Sequence, residues 1–257
     1  MTDLPAQRFR GRDGAQLAWR ELGDGPPVIL LHGLMGSGTL LLGDGPARAL
    51  AERGYRVILP DLRGHGDSAR PHDPAGYPPD VLADDGLALI EHLGLGDYRL
   101  AGYSLGGKLV LRLLARGARP ARAIVGGQGL DALDAETSRT GGYRRLLAAV
   151  ASGSAFEPGS PGEAFAGWVT QIGADPLAIG YLLDSFVPTP REVLAQVPTQ
   201  TLVVAGDQDS RSASAAELTA LLPNGRLVLV PGDHHTTLGA PEFTAAVLDF
   251  LSWRVSR

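Results

Sequence analysis

Gly102, Ser104 and Gly106 make a Gly-x-Ser-x-Gly pentapeptide inside LAGYSLGG, Leu100 to Gly107. A serine hydroxyl is a poor nucleophile at neutral pH and needs a base within hydrogen-bond reach. It also needs exposure, and the spacing provides that. Tyr98 to Ala101 reads as a short strand, and Lys108 to Arg116 places leucines at helical spacing. Between them the backbones must pass so closely that only small residues two before and two after the serine fit. The serine is then strained, with its hydroxyl lifted above the sheet edge. Because the turn opens a helix, the Leu105 amide points toward any oxyanion forming at Ser104.

The same residues mimic another site. Gly102 to Lys108 also fits the G-x-x-x-x-G-K opening of a phosphate-binding loop. Leu109 stands where that loop needs Ser or Thr for magnesium, and the strand comes too late in the chain. The phosphate reading is set aside.

A base and an acid are available. Asp209 and the pair His234/His235 each follow a predicted strand, giving the chain order serine, acid, histidine. A lone loop histidine is ordinarily a surface residue, and a lone aspartate after a strand a turn or cap residue. Their conjunction with the elbow points to chemistry: histidine takes the proton, and a carboxylate fixes its tautomer and stabilises the imidazolium.

These three must be brought together by a sheet. Arg8 to Gly11 and Gln16 to Glu21 predict a hairpin about Arg12-Asp13-Gly14. Pro27 to Leu31, Arg56 to Leu59, Ala121 to Val125, Thr199 to Ala205 and Arg226 to Val230 are short apolar runs, the pattern of strands covered on both faces. Helices are predicted over Pro46 to Arg53, Asp80 to Leu93, Ser214 to Leu222 and from Pro241 to about Val255. Alternation of this kind predicts an α/β fold, a mostly parallel sheet of about eight strands flanked by helices on both faces. Sites in such sheets form beyond the carboxyl ends of the strands. The rhythm stops over 130–190, which carries Tyr143, Phe156, Phe165, Trp168, Tyr181 and Phe186 among helical patches.

Composition bounds the rest. The chain has 257 residues, 44% hydrophobic and 20% charged, with a net charge of −5. This balance suits a globular protein with a sizeable core and argues against nucleic acid as its main partner. There is no cysteine, so thiolate chemistry, cysteine-held metals and disulfides are excluded. No run approaches ~18 apolar residues and no secretory signal is evident, so a cytoplasmic location is expected.

The motifs together resemble the α/β-hydrolase family. They stand as VILLHGLMGSG (Val28 to Gly38), PDLRGHGDS (Pro60 to Ser68), GYSLGG (Gly102 to Gly107), VPTQTLVVAGDQD (Val197 to Asp209) and VPGDHHTTLGAPEF (Val230 to Phe243). The resemblance implies Ser104 as nucleophile, Asp209 as acid in preference to Asp207, and Leu34 as a second oxyanion amide partnering Leu105. It casts His32 and His65 as structural hydrogen-bonders. Counting forward from Pro231-Gly232 favours His235 as base; counting back from Leu238-Gly239 and Pro241 favours His234, which is chosen. It further implies a core over 1–129 and 191–257 and a small helical cap over 130–190. Met35, Tyr103, Phe156, Trp168 and Phe186 are expected around the substrate. Arg139, Arg144 and Arg145 are read as a solvated helix face, and the pocket as suited to a small or medium uncharged ester, lactone or thioester. Neither metal nor organic cofactor is expected, and the expected partner is a small-molecule substrate. Serine, not aspartate, as nucleophile disfavours dehalogenase and epoxide hydrolase activity. Carbon–carbon bond hydrolases, cofactor-free peroxidases or oxygenases and non-catalytic ligand-binding proteins share the resemblance.

Overall fold

The computed structural model describes residues 4–43, 45–134 and 138–252, with 138–140 described as helical backbone only. Its elements in chain order are β1 (Gln7–Arg10), β2 (Gln16–Leu22), β3 (Pro27–Leu31), α1 (Leu40–Gly43), α2 (Ala47–Glu52), β4 (Arg56–Pro60), α3 (Val81–His92), β5 (Arg99–Tyr103), α4 (Leu105–Ala115) and β6 (Arg122–Gly126). There follow α5 (Ser138–Ala151), α6 (Pro161–Gln171), α7 (Pro176–Asp184), α8 (Arg191–Leu194), β7 (Gln200–Gly206), α9 (Ala215–Leu221), β8 (Gly225–Val230) and α10 (Pro241–Ser252). Residues 253–255, placed in the last helix by the sequence pattern, lie outside the described residues.

The eight strands form one sheet in the order β1-β2-β4-β3-β5-β6-β7-β8. The two pairings that involve β2 are antiparallel, and the remaining five are parallel. Successive side chains of a strand point to opposite faces, and both faces here are covered. Ile29, Leu31, Leu100, Val125 and Val203 pack against α3, α4 and α9. Their neighbours Val28, Leu30, Ala101, Ile124 and Val204 pack against α2 and α10. This explains the continuous apolar runs in the sequence. A third, smaller core joins Leu147 of α5, Val169 of α6 and Ile179 and Leu183 of α7 to Met35, which belongs to the loop after β3.

The register decides where chemistry can occur. Leu31 pairs with Gly102, Tyr103 with Gly126, Gly126 with Val204 and Gly206 with Val230. The carboxyl ends of β3, β5, β6, β7 and β8 therefore end along one rim. The strand order reverses between β3 and β5, which is where a doubly wound sheet opens a crevice.

Helix α4 starts at Leu105, one full turn before the leucine-rich run that marks it in the sequence. Gly106 and Gly107 are poor helix formers, but both are buried, and packing overrides propensity. α1 has no clear sequence signal and is a single turn.

Candidate active site

Ser104 sits between β5 and α4 with φ 55° and ψ −117°, in a region side chains rarely enter. Its flanking glycines explain how the chain tolerates this. A Cβ on Gly102 would fall 2.3 Å from the backbone of Gly106, and one on Gly106 would fall 2.1 Å from the Leu31 carbonyl oxygen. The Ser104 amide donates to the Gly126 carbonyl at 2.9 Å, and the Gln128 side-chain amide donates to the Ser104 carbonyl.

The candidate base comes from the loop after β8. Asp233 Oδ1 accepts the amides of His235 at 2.9 Å and Thr236 at 3.0 Å, and the Thr236 hydroxyl at 2.9 Å. This local side-chain turn sends successive histidines in different directions. His234 is buried, and His235 is exposed, its ring edge-on to His234 with centroids 5.9 Å apart. The His234 carbonyl accepts the Tyr103 hydroxyl at 2.8 Å, which ties the histidine loop to the residue before Ser104.

The two ring nitrogens of His234 meet the two expected partners. Nε2 lies 2.8 Å from Ser104 Oγ, and Nδ1 lies 2.8 Å from Asp209 Oδ2. Asp209 is the residue after β7 that reaches the histidine. Asp207 instead accepts the Gly232 amide at 3.0 Å and braces the turn before His234. Burial pushes the Asp209 carboxyl up, but hydrogen bonds from the His234 ring and the Arg211 amide outweigh it and hold it below the ordinary range. Burial lowers His234 against the pull of Asp209, so the imidazole is neutral at pH 7. With Nδ1–H donating to the carboxylate, Nε2 has its lone pair toward the serine.

The amides of Leu34 and Leu105 border the same cavity and donate to no other described residue. Leu34 is positioned by a reciprocal latch. His32 Nε2 accepts the Leu62 amide at 3.0 Å, and His65 Nε2 accepts the Met35 amide at 3.2 Å. His32 Nδ1 faces the Gly33 carbonyl at 2.8 Å and His65 Nδ1 faces the Arg63 carbonyl at 3.1 Å, so each ring donates from Nδ1. Arg63, 1% exposed, grips Asp85 through two nitrogens at 2.8 and 2.9 Å and fixes the second loop. Met35 itself has φ 65°.

The cavity is about 320 Å³, near the lower end of the roughly 300–1,000 Å³ usual for ligand pockets. Of the residues expected around the substrate, Met35, Tyr103, Trp168 and Phe186 line this cavity. Phe156 does not; it packs on Gly162 of α6, whose lack of a Cβ makes room for the ring. Spacing could not reveal this, because an aromatic on a surface segment serves either end equally well. Sequence reasoning also missed Lys108, Gln128 and Arg211 on the cavity wall, which Tyr143 joins from the aromatic set of 130–190. The expectation of an uncharged substrate considered only the cations of 130–190, whereas Lys108 and Arg211 come from α4 and from the loop after β7. Of that earlier trio, Arg145 is exposed, Arg144 pairs with Asp184, and the side chain of Arg139 is outside the described residues.

Residues 26–137 match the model for the alpha/beta hydrolase fold. Over 269 aligned positions the chain is 30% identical to a non-heme haloperoxidase of Rhodococcus erythropolis, an alignment covering 93% of this chain and 97% of that one. The chain belongs to the α/β-hydrolase family. Two solved α/β structures are similar along nearly the whole length. A thermophilic esterase from Thermogutta terrifontis superposes with a TM-score of 0.77 at 25% identity, covering 96% of this chain and 98% of the esterase. A bromoperoxidase from Bacillus anthracis gives 0.71 at 26%, covering 96% of this chain and all of that one. Among the described residues of this α/β-hydrolase, no helix is long and apolar enough to cross a membrane.

Proposed function

We propose that the protein is a serine hydrolase acting on an ester, lactone or thioester of small or medium size through an acyl-enzyme. Ser104 Oγ attacks the carbonyl carbon as its proton passes to His234 Nε2. Asp209 stabilises the resulting imidazolium, and the Leu34 and Leu105 amides hold the oxyanion. Collapse of the tetrahedral intermediate expels the leaving group, which takes the proton from His234. Water then attacks the acyl-serine with His234 again as base. We read 130–190 as a cap whose Tyr143, Trp168 and Phe186 shape the acyl pocket. The observation that carries the reading is the pair of 2.8 Å contacts that joins hydroxyl, imidazole and carboxylate at one cavity.

A second reading is favoured by the haloperoxidase and bromoperoxidase among the similar proteins. An acyl-serine attacked by hydrogen peroxide in place of water releases a peracid, which oxidises halide without a metal. The two readings share every residue above.

The test is labelling with a fluorophosphonate probe alongside turnover of p-nitrophenyl acetate. Wild type should label and turn over. Ser104→Ala should lose labelling and at least about a thousandfold in rate. Near-normal turnover by that variant removes Ser104 from the mechanism. Bromide oxidation with acetate and hydrogen peroxide, compared with ester hydrolysis, separates the two readings.

A further inference from the structure

Two cations border the cavity, and only one of them is matched by acid. The Lys108 ammonium donates to the Asp134 carbonyl, lies 5.4 Å from the centroid of the Phe186 ring and sits in the field of Asp131 and Asp134. Arg211 is different. Its side chain is half-buried. One Nη2–H donates to the Tyr143 hydroxyl at 3.2 Å, and its guanidinium carbon lies 6.0 Å from the Tyr143 ring centroid. Its own backbone amide donates to Asp209 Oδ1 at 2.8 Å, which fixes where the side chain starts. Among the described residues no carboxylate pairs with its guanidinium, although Arg20, Arg56, Arg63, Arg112 and Arg116 all have acid partners.

A guanidinium carries five N–H donors in a rigid fork. Among the described residues the Tyr143 hydroxyl is the one acceptor the Arg211 guanidinium meets, and Arg211 lines the same cavity as Ser104 and His234. Withdrawing such a cation from water is unfavourable unless an anion meets it, and none of the described carboxylates pairs with it. The fork matches a carboxylate in two parallel hydrogen bonds. Asp131, on the same cavity wall, disfavours a ligand with a second negative charge, such as a phosphate monoester.

We propose that Arg211 is a specificity-determining residue, which seats a carboxylate carried by the substrate at a distance from the scissile carbonyl. The substrates would be half-esters, or lactones and thioesters bearing one free carboxylate. The proposal rests on the hydrolase reading of Ser104 and replaces the uncharged substrate that the sequence suggested.

The experiment compares chain-matched methyl esters: monomethyl succinate, glutarate and adipate against methyl butanoate, pentanoate and hexanoate. Methyl 4-trimethylammoniobutanoate serves as the control of opposite sign. Wild type should favour its best half-ester over the matched neutral ester by about tenfold to a hundredfold in kcat/KM, the range of one charge-assisted pair, and should turn over the cationic ester poorly. Arg211→Gln should bring the ratio near one, chiefly by raising KM for the half-ester. Arg211→Lys should keep part of the preference. Because each ratio is taken within one variant, any effect on His234 cancels. Hydrolysis of neutral esters with no preference for any half-ester overturns the proposal and leaves the hydrolase reading intact. A preference that survives Arg211→Gln overturns it as well. If neither ester class is cleaved and the fluorophosphonate does not label, the hydrolase reading fails, and calorimetry with monomethyl glutarate, which is then left intact, decides the rest. Binding by wild type that is lost in Arg211→Gln supports a carboxylate seat; no binding at millimolar ligand overturns it.

Discussion

Acid should release the loop that carries Leu34, and the size of the effect follows from two rings. His32 and His65 each accept a backbone amide through Nε2, which a protonated imidazole cannot do. Burial holds His32 down to about 4. Burial, with the nearby His32, holds His65 down to about 3. Both return to about 6.5 in the unfolded chain. Because the folded values are the depressed ones, the unfolded chain binds these protons first as pH falls. Stability is whole above about pH 6.5 and is lost downward, the His32 share until about 4 and the His65 share until about 3. Each ring costs about 1.4 kcal/mol per pH unit inside its window. Moving from pH 6.5 to 4.5 therefore removes about 5 kcal/mol, against a usual total of about 5–15 kcal/mol. Carboxylates contribute little in that range, since their unfolded values lie near 4. The assay is urea unfolding at pH 7.5, 6.5, 5.5 and 4.5 for wild type and His65→Gln. The variant should be less stable at pH 7.5, and its loss per pH unit should be shallower by about 1.4 kcal/mol, one proton's worth. Parallel slopes would refute the claim that the fold keeps His65 neutral.

Three further outcomes are expected. The acid limb of kcat/KM should fall below pH 6.5, because the proposed base is neutral His234 and burial lowers its pKa; a pH–rate profile with its limb at or above 6.5 contradicts this. Gly106→Ala should destabilise the fold by roughly 3 kcal/mol or more or fail to label with a fluorophosphonate, since its Cβ meets the Leu31 carbonyl; thermal melting and labelling check both. Phe186→Ala should change KM for longer acyl chains several-fold while Phe156→Ala leaves it alone, because only the first ring borders the cavity; a chain-length series on both variants reads the difference.

Much of this was legible because it is local. Gly102, Ser104 and Gly106 specify their own turn, and the runs at Val28 to Leu31 and Thr201 to Ala205 can only be strands covered on both faces. Strand order then carries Asp209 and His234 to the rim without further information. What remained closed depends on side-chain direction. The choice between adjacent histidines rests on how Asp233 turns the chain, and two counting rules give opposite answers. Phe156 and Phe186 are alike in sequence and differ in what they face. Arg211 stands in plain view two residues after Asp209, yet that no described carboxylate pairs with it can be read only once the chain is folded.

Met35 belongs to two bodies at once. Its amide is fastened by His65 to the sheet's rim, while its thioether is embedded among α5, α6 and α7. Helices drawn away from the rim would strip the neighbour of Leu34 of its packing, and helices pressed back would reseat it. Hydrogen exchange at the Met35 amide, which His65 holds, should accordingly keep pace with exchange in α7; independent rates would uncouple them. If the proposed oxyanion amides are the ones that act, a gaping molecule would be an idle one, and stray water would find no finished cradle for the charge its attack would create.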